Sequence, residues 1–174
     1  RLCRFAFPLL FIFGFILVGR VFTLGAPSAG HPEWHVLNGL GFMWNPDFAA
    51  LKSAKVWLEA AGQIFFTLSV GIGVILTYAS YLRSDDDVAL PGVTAAGMNE
   101  FAEVILGGSI VIPAAFLFFG GIGAMEVAKS GSFNIGFVTM PMIFNRIPMG
   151  EIFGFYWFIL LFLASYSSIV RFII

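Results

Sequence analysis

Residues 57–81 read Trp-Leu-Glu-Ala-Ala-Gly-Gln-Ile-Phe-Phe-Thr-Leu-Ser-Val-Gly-Ile-Gly-Val-Ile-Leu-Thr-Tyr-Ala-Ser-Tyr. The stretch is long enough to cross a bilayer, yet polar and glycine-rich at its centre. Phe65 and Phe66 run into Thr67, Ser69, Gly71 and Gly73 before an apolar run resumes. A membrane helix that breaks at mid-depth strands backbone N–H and C=O groups where no water replaces their partners. Such a break persists only where protein, water, an ion or a bound solute satisfies those groups. Two half-helices then direct a positive N-terminus and a negative C-terminus at that solute. The expectation is a solute site at the membrane midplane.

The composition fits a membrane medium. Of 174 residues, 59% are hydrophobic and 11% charged, against roughly 45–50% apolar and about 25% charged in soluble domains. The mean hydropathy is +0.94. A formal charge of −1 gives no basis for a nucleic-acid partner. Cys3 is the sole cysteine, so no internal disulfide forms. The chain starts at Arg1 and stops at Ile174 inside an apolar run, which reads as a fragment.

A bilayer core about 30 Å thick takes roughly 20 helical residues. Four spans are expected: 5–24, 57–82, 93–119 and 152–174. The fold class is therefore an all-α membrane protein with four transmembrane helices, one of them broken mid-membrane. Pro8 is placed in the first turn of span one; Pro113 and the Gly107-Gly108 pair are expected to bend span three. Residues 25–56 read as a long loop, with Asp47 capping a short helix over 48–55. Residues 83–92 form a polar loop, and 120–150 an irregular amphipathic lid broken by Pro141 and Pro148. The basic residues give no orientation, because Arg1, Arg4, Arg83 and Arg171 oppose Arg20, Lys52, Lys55, Lys129 and Arg146.

The polar residues within the spans group by helical spacing. Gln63 and Thr67 lie at i and i+4, as do Asn99 and Glu103, while Ala164, Ser167 and Ser168 occupy i, i+3 and i+4. Blander readings exist for each. Membrane Ser and Thr often bond back to the carbonyl four residues earlier. Asn99 and Gln63 suit interhelical hydrogen bonding, the glycines suit close helix packing, and Glu103 suits an interfacial position. Against these stands the coincidence with a broken helix, and oxygen ligands from several helices suit a hard cation rather than zinc or copper. His31 and His35 lie in the long loop beside Pro32, which argues against haem or transition-metal chemistry.

These residues resemble the neurotransmitter:sodium symporters, in their bacterial amino-acid, leucine-transporter-like branch. The matching blocks are Gly-Gln-Ile-Phe-Phe-Thr-Leu-Ser at 62–69, Thr-Tyr-Ala-Ser-Tyr at 77–81 and Asn-Glu-Phe-Ala-Glu-Val-Ile-Leu-Gly-Gly-Ser at 99–109. Ile-Pro-Ala-Ala at 112–115 and Phe-Asn-Ile-Gly-Phe at 133–137 extend the match. The resemblance implies helices five to eight of about twelve in an inverted-repeat fold, with 25–56 and the 120–150 lid extracellular and 83–92 cytoplasmic. It implies sodium-coupled symport of a small hydrophobic amino acid by alternating access in a bacterial inner membrane, with Na+ and no organic cofactor. The partners would be the lipid bilayer and the remaining helices of the same transporter.

Residue by residue, the resemblance implies that Phe66, Thr67, Ser69, Ile72 and Ser168 meet the substrate. Thr67 and Asn99 would bind one sodium, and the Ala164 carbonyl with Ser167 and Ser168 a second. Phe66 would close the outer gate and Tyr81 belong to the cytoplasmic one. Gln63 and Glu103 map to the place where chloride-dependent relatives hold chloride, and those relatives carry Ser at the Glu103 position. A carboxylate there makes chloride redundant and is expected to take up a proton when sodium leaves. The pattern departs at Ser167-Ser168, where Thr-Ser is usual, and again at Arg171. The competing reading is a non-transporting membrane scaffold or subunit derived from such a transporter. An intramembrane enzyme is disfavoured, since no span carries a His-metal motif, a Ser/His pair or an Asp dyad.

Overall fold

The computed structural model describes the backbone of residues 2–25, 31–71 and 73–173, with side chains from residue 5 to 166 apart from 26–30, 72, 74 and 78. Every regular element among them is helical. Helix α1 (Leu2–Phe22) is followed by α2 (Val36–Trp44), a 3-10 turn (Ala50–Lys52), α3 (Ala54–Thr67) and α4 (Val74–Ala79). Then come α5 (Ala89–Glu100), a π-helical stretch (Phe101–Gly107), and α6 (Gly108–Lys129). The chain closes with α7 (Ser132–Asn134), a second π-helical stretch (Ile135–Thr139), α8 (Met140–Phe144) and α9 (Gly150–Ile173). Two helical stretches are long and apolar enough to cross a membrane unaided, Phe5–Phe22 and Ala89–Lys129, while Gly150–Tyr166 is a shorter apolar run.

Several boundaries differ from the sequence expectation. Because α1 begins at Leu2, Pro8 lies inside the helix rather than in its first turn. The third helix starts at Ala89, not near 93, because the Asp87 carboxylate accepts the Ala89 N–H at 3.1 Å and starts the turn early. The sharp bend falls at Gly120 (φ 68°, ψ −177°), after which helix continues to Lys129. The Gly107-Gly108 pair instead ends the π-helical stretch. The supposed irregular lid is thus largely helical. Pro141 lies inside the continuous helical run Ser132–Phe144, just after the second π-helical stretch.

The long loop also hides α2. His35 caps it, with Nδ1 accepting the Leu37 N–H at 3.2 Å. Asp47 caps no α-helix over 48–55; its carboxylate accepts the Ala49 N–H at 2.9 Å and only the 3-10 turn follows. Helix α2 is short, and tertiary packing stabilises it. It runs antiparallel along α6: Trp34 meets Gly120, Gly39 meets Pro113 and Phe116, and Met43 meets Gly108. A Cβ on Gly39 would lie 2.7 Å from the Pro113 Cα. Gly39→Ala is therefore expected to cost about 1–3 kcal/mol by overpacking, read as an earlier thermal unfolding transition. An unchanged transition would mean that α2 is not held this close.

The packed core is one-sided. Leu17, Val21 and Leu24 meet Val36, Ile110, Ala114, Leu117, Met140, Ile143, Phe144, Ile147 and Trp157. The buried Trp157 indole N–H donates to the Gly136 carbonyl at 2.9 Å, joining α9 to the second π-helical stretch. The other ends of α1 and α9, with α5 and the first π-helical stretch, surround an open cavity instead of a core.

Candidate functional site

Helix α3 stops at Thr67 by a specific backbone device. The Val70 N–H donates back to the Phe65 carbonyl at 2.9 Å, and the Ser69 N–H to Phe66 at 3.0 Å. This hydrogen-bond pair ends a helix by placing the residue after the cap in the left-handed region, a position usually held by glycine. Here it is Ser69, at φ 57°. Gly71 and Gly73 follow at φ 84° and 82°, so Ser69 and both glycines are left-handed, and the next helix begins at Val74. A serine in this conformation costs about 1–2 kcal/mol. Ser69→Gly is expected to relieve that strain, raising thermal stability by about 1 kcal/mol while removing a hydroxyl from the break. Thermal unfolding and solute uptake of the full-length variant, measured side by side, check this; a fall in stability would contradict it.

The second half-helix is shorter than expected. It ends at Ala79 rather than continuing to residue 82. The Ser80 hydroxyl donates to the Thr77 carbonyl at 2.7 Å, and the Ser80 N–H is shared between the Leu76 and Thr77 carbonyls, a frayed end. Tyr81 lies in the turn beyond, 66% exposed.

At the stop itself, two i,i+4 pairs from different helices meet. The Thr67 hydroxyl donates to Glu103 Oε2 at 2.7 Å. The Gln63 amide donates to Glu103 Oε1 and also reaches Thr67 Oγ at 3.3 Å. Elsewhere the membrane-type hydroxyls do bond back along their own helix: Thr77 to Gly73 and Thr94 to Leu90, at 3.3 and 2.8 Å. Thr67 does not follow them. Its proton is committed to a carboxylate on another helix, which polarises the oxygen and leaves lone-pair capacity for a cation. Sequence spacing identified each pair separately; the link between Thr67 and Glu103 is tertiary.

Glu103 sits on the first π-helical stretch, a feature the sequence reading missed. Such turns shift the register of side chains and recur at functional sites. One helical turn earlier, the Asn99 Nδ2 is buried with no hydrogen-bond partner among the described residues. Asn99 and Glu103 line one cavity of about 850 Å³ together with Ala102, Thr94 and, from α9, Ala164 and Leu160. Phe7, Leu10 and Phe11 of α1 close its far side. The structure therefore brings Gln63, Thr67 and Glu103 into direct contact, and Asn99, Glu103 and Ala164 around one cavity. Phe66 points outward, 74% exposed, next to Thr67. Ile72 and the side chains of Ser167, Ser168 and Arg171 lie outside the described residues.

Comparison with known proteins decides the family. The model of the sodium:neurotransmitter symporter family matches residues 9–173. The chain belongs to that family. Among symporter relatives, an uncharacterised sodium-dependent transporter of Methanocaldococcus jannaschii is 33% identical over 135 residues, covering 77% of this chain and 27% of that protein. The sodium-dependent dopamine transporter of Caenorhabditis elegans is 27% identical over 166 residues, covering 90% and 25%. The sodium- and chloride-dependent creatine transporter 1 of Oryctolagus cuniculus is 26% identical over 133 residues, covering 76% and 21%. The chain spans a third or less of the length of these symporters. The family comprises integral membrane transporters that depend on sodium, not enzymes.

Proposed function

We propose that, within the whole protein, this chain supplies the broken helix and the sodium-binding wall of a symporter for a small apolar amino acid. The observation that carries the reading is the Thr67–Glu103 hydrogen bond at the helix stop. It couples a left-handed break, which exposes main-chain dipoles, to a fixed negative charge and an available hydroxyl oxygen. Thr67 and Asn99 would hold one sodium between them; the Ala164 carbonyl, with Ser167 and Ser168, would hold a second. Ser69, Ile72 and Phe66 would face the substrate side chain, with Phe66 closing from outside and Tyr81 guarding the inner end. Four spans would cross the membrane, with residues 120–150 as an outer lid over the site.

The energetics favour sodium loading before substrate. An uncompensated carboxylate in a low-dielectric site is costly, and a cation beside it removes much of that cost. Substrate binding then shifts the population toward the inward-facing state only through contacts better made there. Glu103 would take the place of the anion that the rabbit relative's name assigns to chloride. The test is uptake by the full-length protein in vesicles carrying an imposed sodium gradient. Leucine or another small apolar amino acid should accumulate with inward sodium and not with potassium; accumulation indifferent to sodium would contradict the reading.

A further inference from the structure

The segment 121–149 is bounded by two left-handed backbone points. At one end is Gly120 (φ 68°), at the other Met149 (φ 59°), a non-glycine residue held in a strained conformation. Gly120 is a position that can absorb the angular change when a segment swings, while Met149 follows residues 140–147, which are packed into the core. Each is braced by a long side chain from elsewhere. The Trp34 indole fills the inner side of the Gly120 bend: a Cβ there would lie 2.7 Å from its Cε2 and Cζ2. The outer face of that indole is covered by His31, stacked at 4.3 Å and 10°. Glu33 holds the His31 ring at 2.9 Å; its own backbone N–H and then that ring keep its carboxyl below the usual carboxylate range.

At the second point, Arg20 Nη2 donates to the Pro148 carbonyl at 3.1 Å, one residue before Met149. Its Nη1 donates to the Thr23 hydroxyl at 3.1 Å, and the guanidinium lies 5.3 Å from the centre of the Phe153 ring. The Thr23 hydroxyl in turn donates to the Arg20 carbonyl at 2.8 Å. This fixes the guanidinium against the turn by a charge-assisted hydrogen bond and a cation–π contact. Neither Trp34 nor Arg20 is near the Thr67–Glu103 cluster in the contacts of the structure. Both belong to the short stretch 20–34, so one piece of chain grips both ends of the segment.

We propose that Trp34 and Arg20 are positioning residues for the lid: the indole braces the Gly120 hinge, the guanidinium anchors Pro148 at the core-packed base of the segment, and together they set the angle at which its exposed tip covers the site. The inference rests on reading that segment as the lid of a symporter. It separates the parts as well. Residues 140–147 are packed into the core with Leu17 and Val21, so the swinging part is the exposed tip around Lys129 and Phe133.

The test uses the full-length transporter with Cys3→Ser and Lys129→Cys, probed with a membrane-impermeant thiol reagent. With wild-type braces, sodium plus leucine should slow modification of the tip cysteine. Trp34→Ala and Arg20→Met should each abolish that protection and speed leucine release, by about tenfold for Arg20→Met, the loss of one hydrogen bond to a charged group. Sodium affinity measured without leucine should stay unchanged, which a misfolded protein would not show. Trp34→Phe and Arg20→Lys should retain most of the protection, and they carry the test if the harsher variants do not fold. Ligand-dependent protection that survives Trp34→Ala and Arg20→Met overturns the positioning role while leaving the lid intact. Absence of any protection with both braces present removes the lid reading, and the inference with it.

Discussion

Thr67→Ala in the full-length protein is expected to weaken sodium activation of uptake by about tenfold or more. Two losses add at this residue. Alanine removes the oxygen whose proton is committed to Glu103 and which also accepts from the Gln63 amide. It also deprives the carboxylate of a donor, and leaving a charged group short of a hydrogen bond costs about 1–3 kcal/mol, where 1.4 kcal/mol is already tenfold. Thr67→Ser keeps the hydroxyl and should stay near the wild type, although the lost methyl loosens its rotamer. The sodium concentration that gives half-maximal uptake is the measurement. If alanine and serine variants behave alike, the hydroxyl is not a ligand and the hydrogen bond serves packing alone.

The second large effect is expected at Glu103. Glu103→Ser removes the fixed negative charge and opens space next to Gln63 and Thr67, whose donors the carboxylate now occupies. Those donors, facing a bound cation, then form a site for a small anion. Uptake in a chloride-free gluconate medium should fall by about tenfold or more, as expected when an ion pair in a low-dielectric site loses one partner, and added chloride should restore most of it. The wild type should be indifferent to chloride. Chloride-free uptake that persists in Glu103→Ser would show that the charge at this position is not what balances sodium.

Part of this site was legible because its logic is local. The helix stop follows from Ser-x-Gly-x-Gly directly after a strong apolar helix, and the i,i+4 spacing of Gln63 with Thr67 and of Asn99 with Glu103 needs only the helical repeat. Other parts were not. Serine has no general preference for the left-handed region, so nothing in the residue type foretold that Ser69 would occupy the glycine position of the stop. The π-helical stretch under Glu103 depends on hydrogen bonds between residues five apart, which leave no hydrophobic period to read. Helix α2 exists because Gly39 lets it press on Pro113, a contact 74 residues distant in sequence, and its cap is a histidine.

The lid shows the opposite error. Pro141 and Pro148 were both expected to break helix; Pro141 instead lies inside the helical run Ser132–Phe144, while Pro148 does fall in the turn before α9, where its carbonyl accepts from Arg20. Pro113 and the Gly107-Gly108 pair were expected to bend the third span; the non-helical backbone falls at Gly120, against which Trp34 packs. Glycine alone permits a kink; the side chain packed against it decides where one forms.

The central claim is that a monovalent cation sits at the helix stop, held by Thr67 and Asn99 beside Glu103. Crystals of the full-length protein soaked in thallium, which replaces sodium and scatters anomalously, test it most directly. An anomalous peak within coordination distance of Thr67 Oγ and the Asn99 side-chain oxygen, and lost in Thr67→Ala, is the expected result. A peak elsewhere, or one unchanged by that substitution, would contradict it.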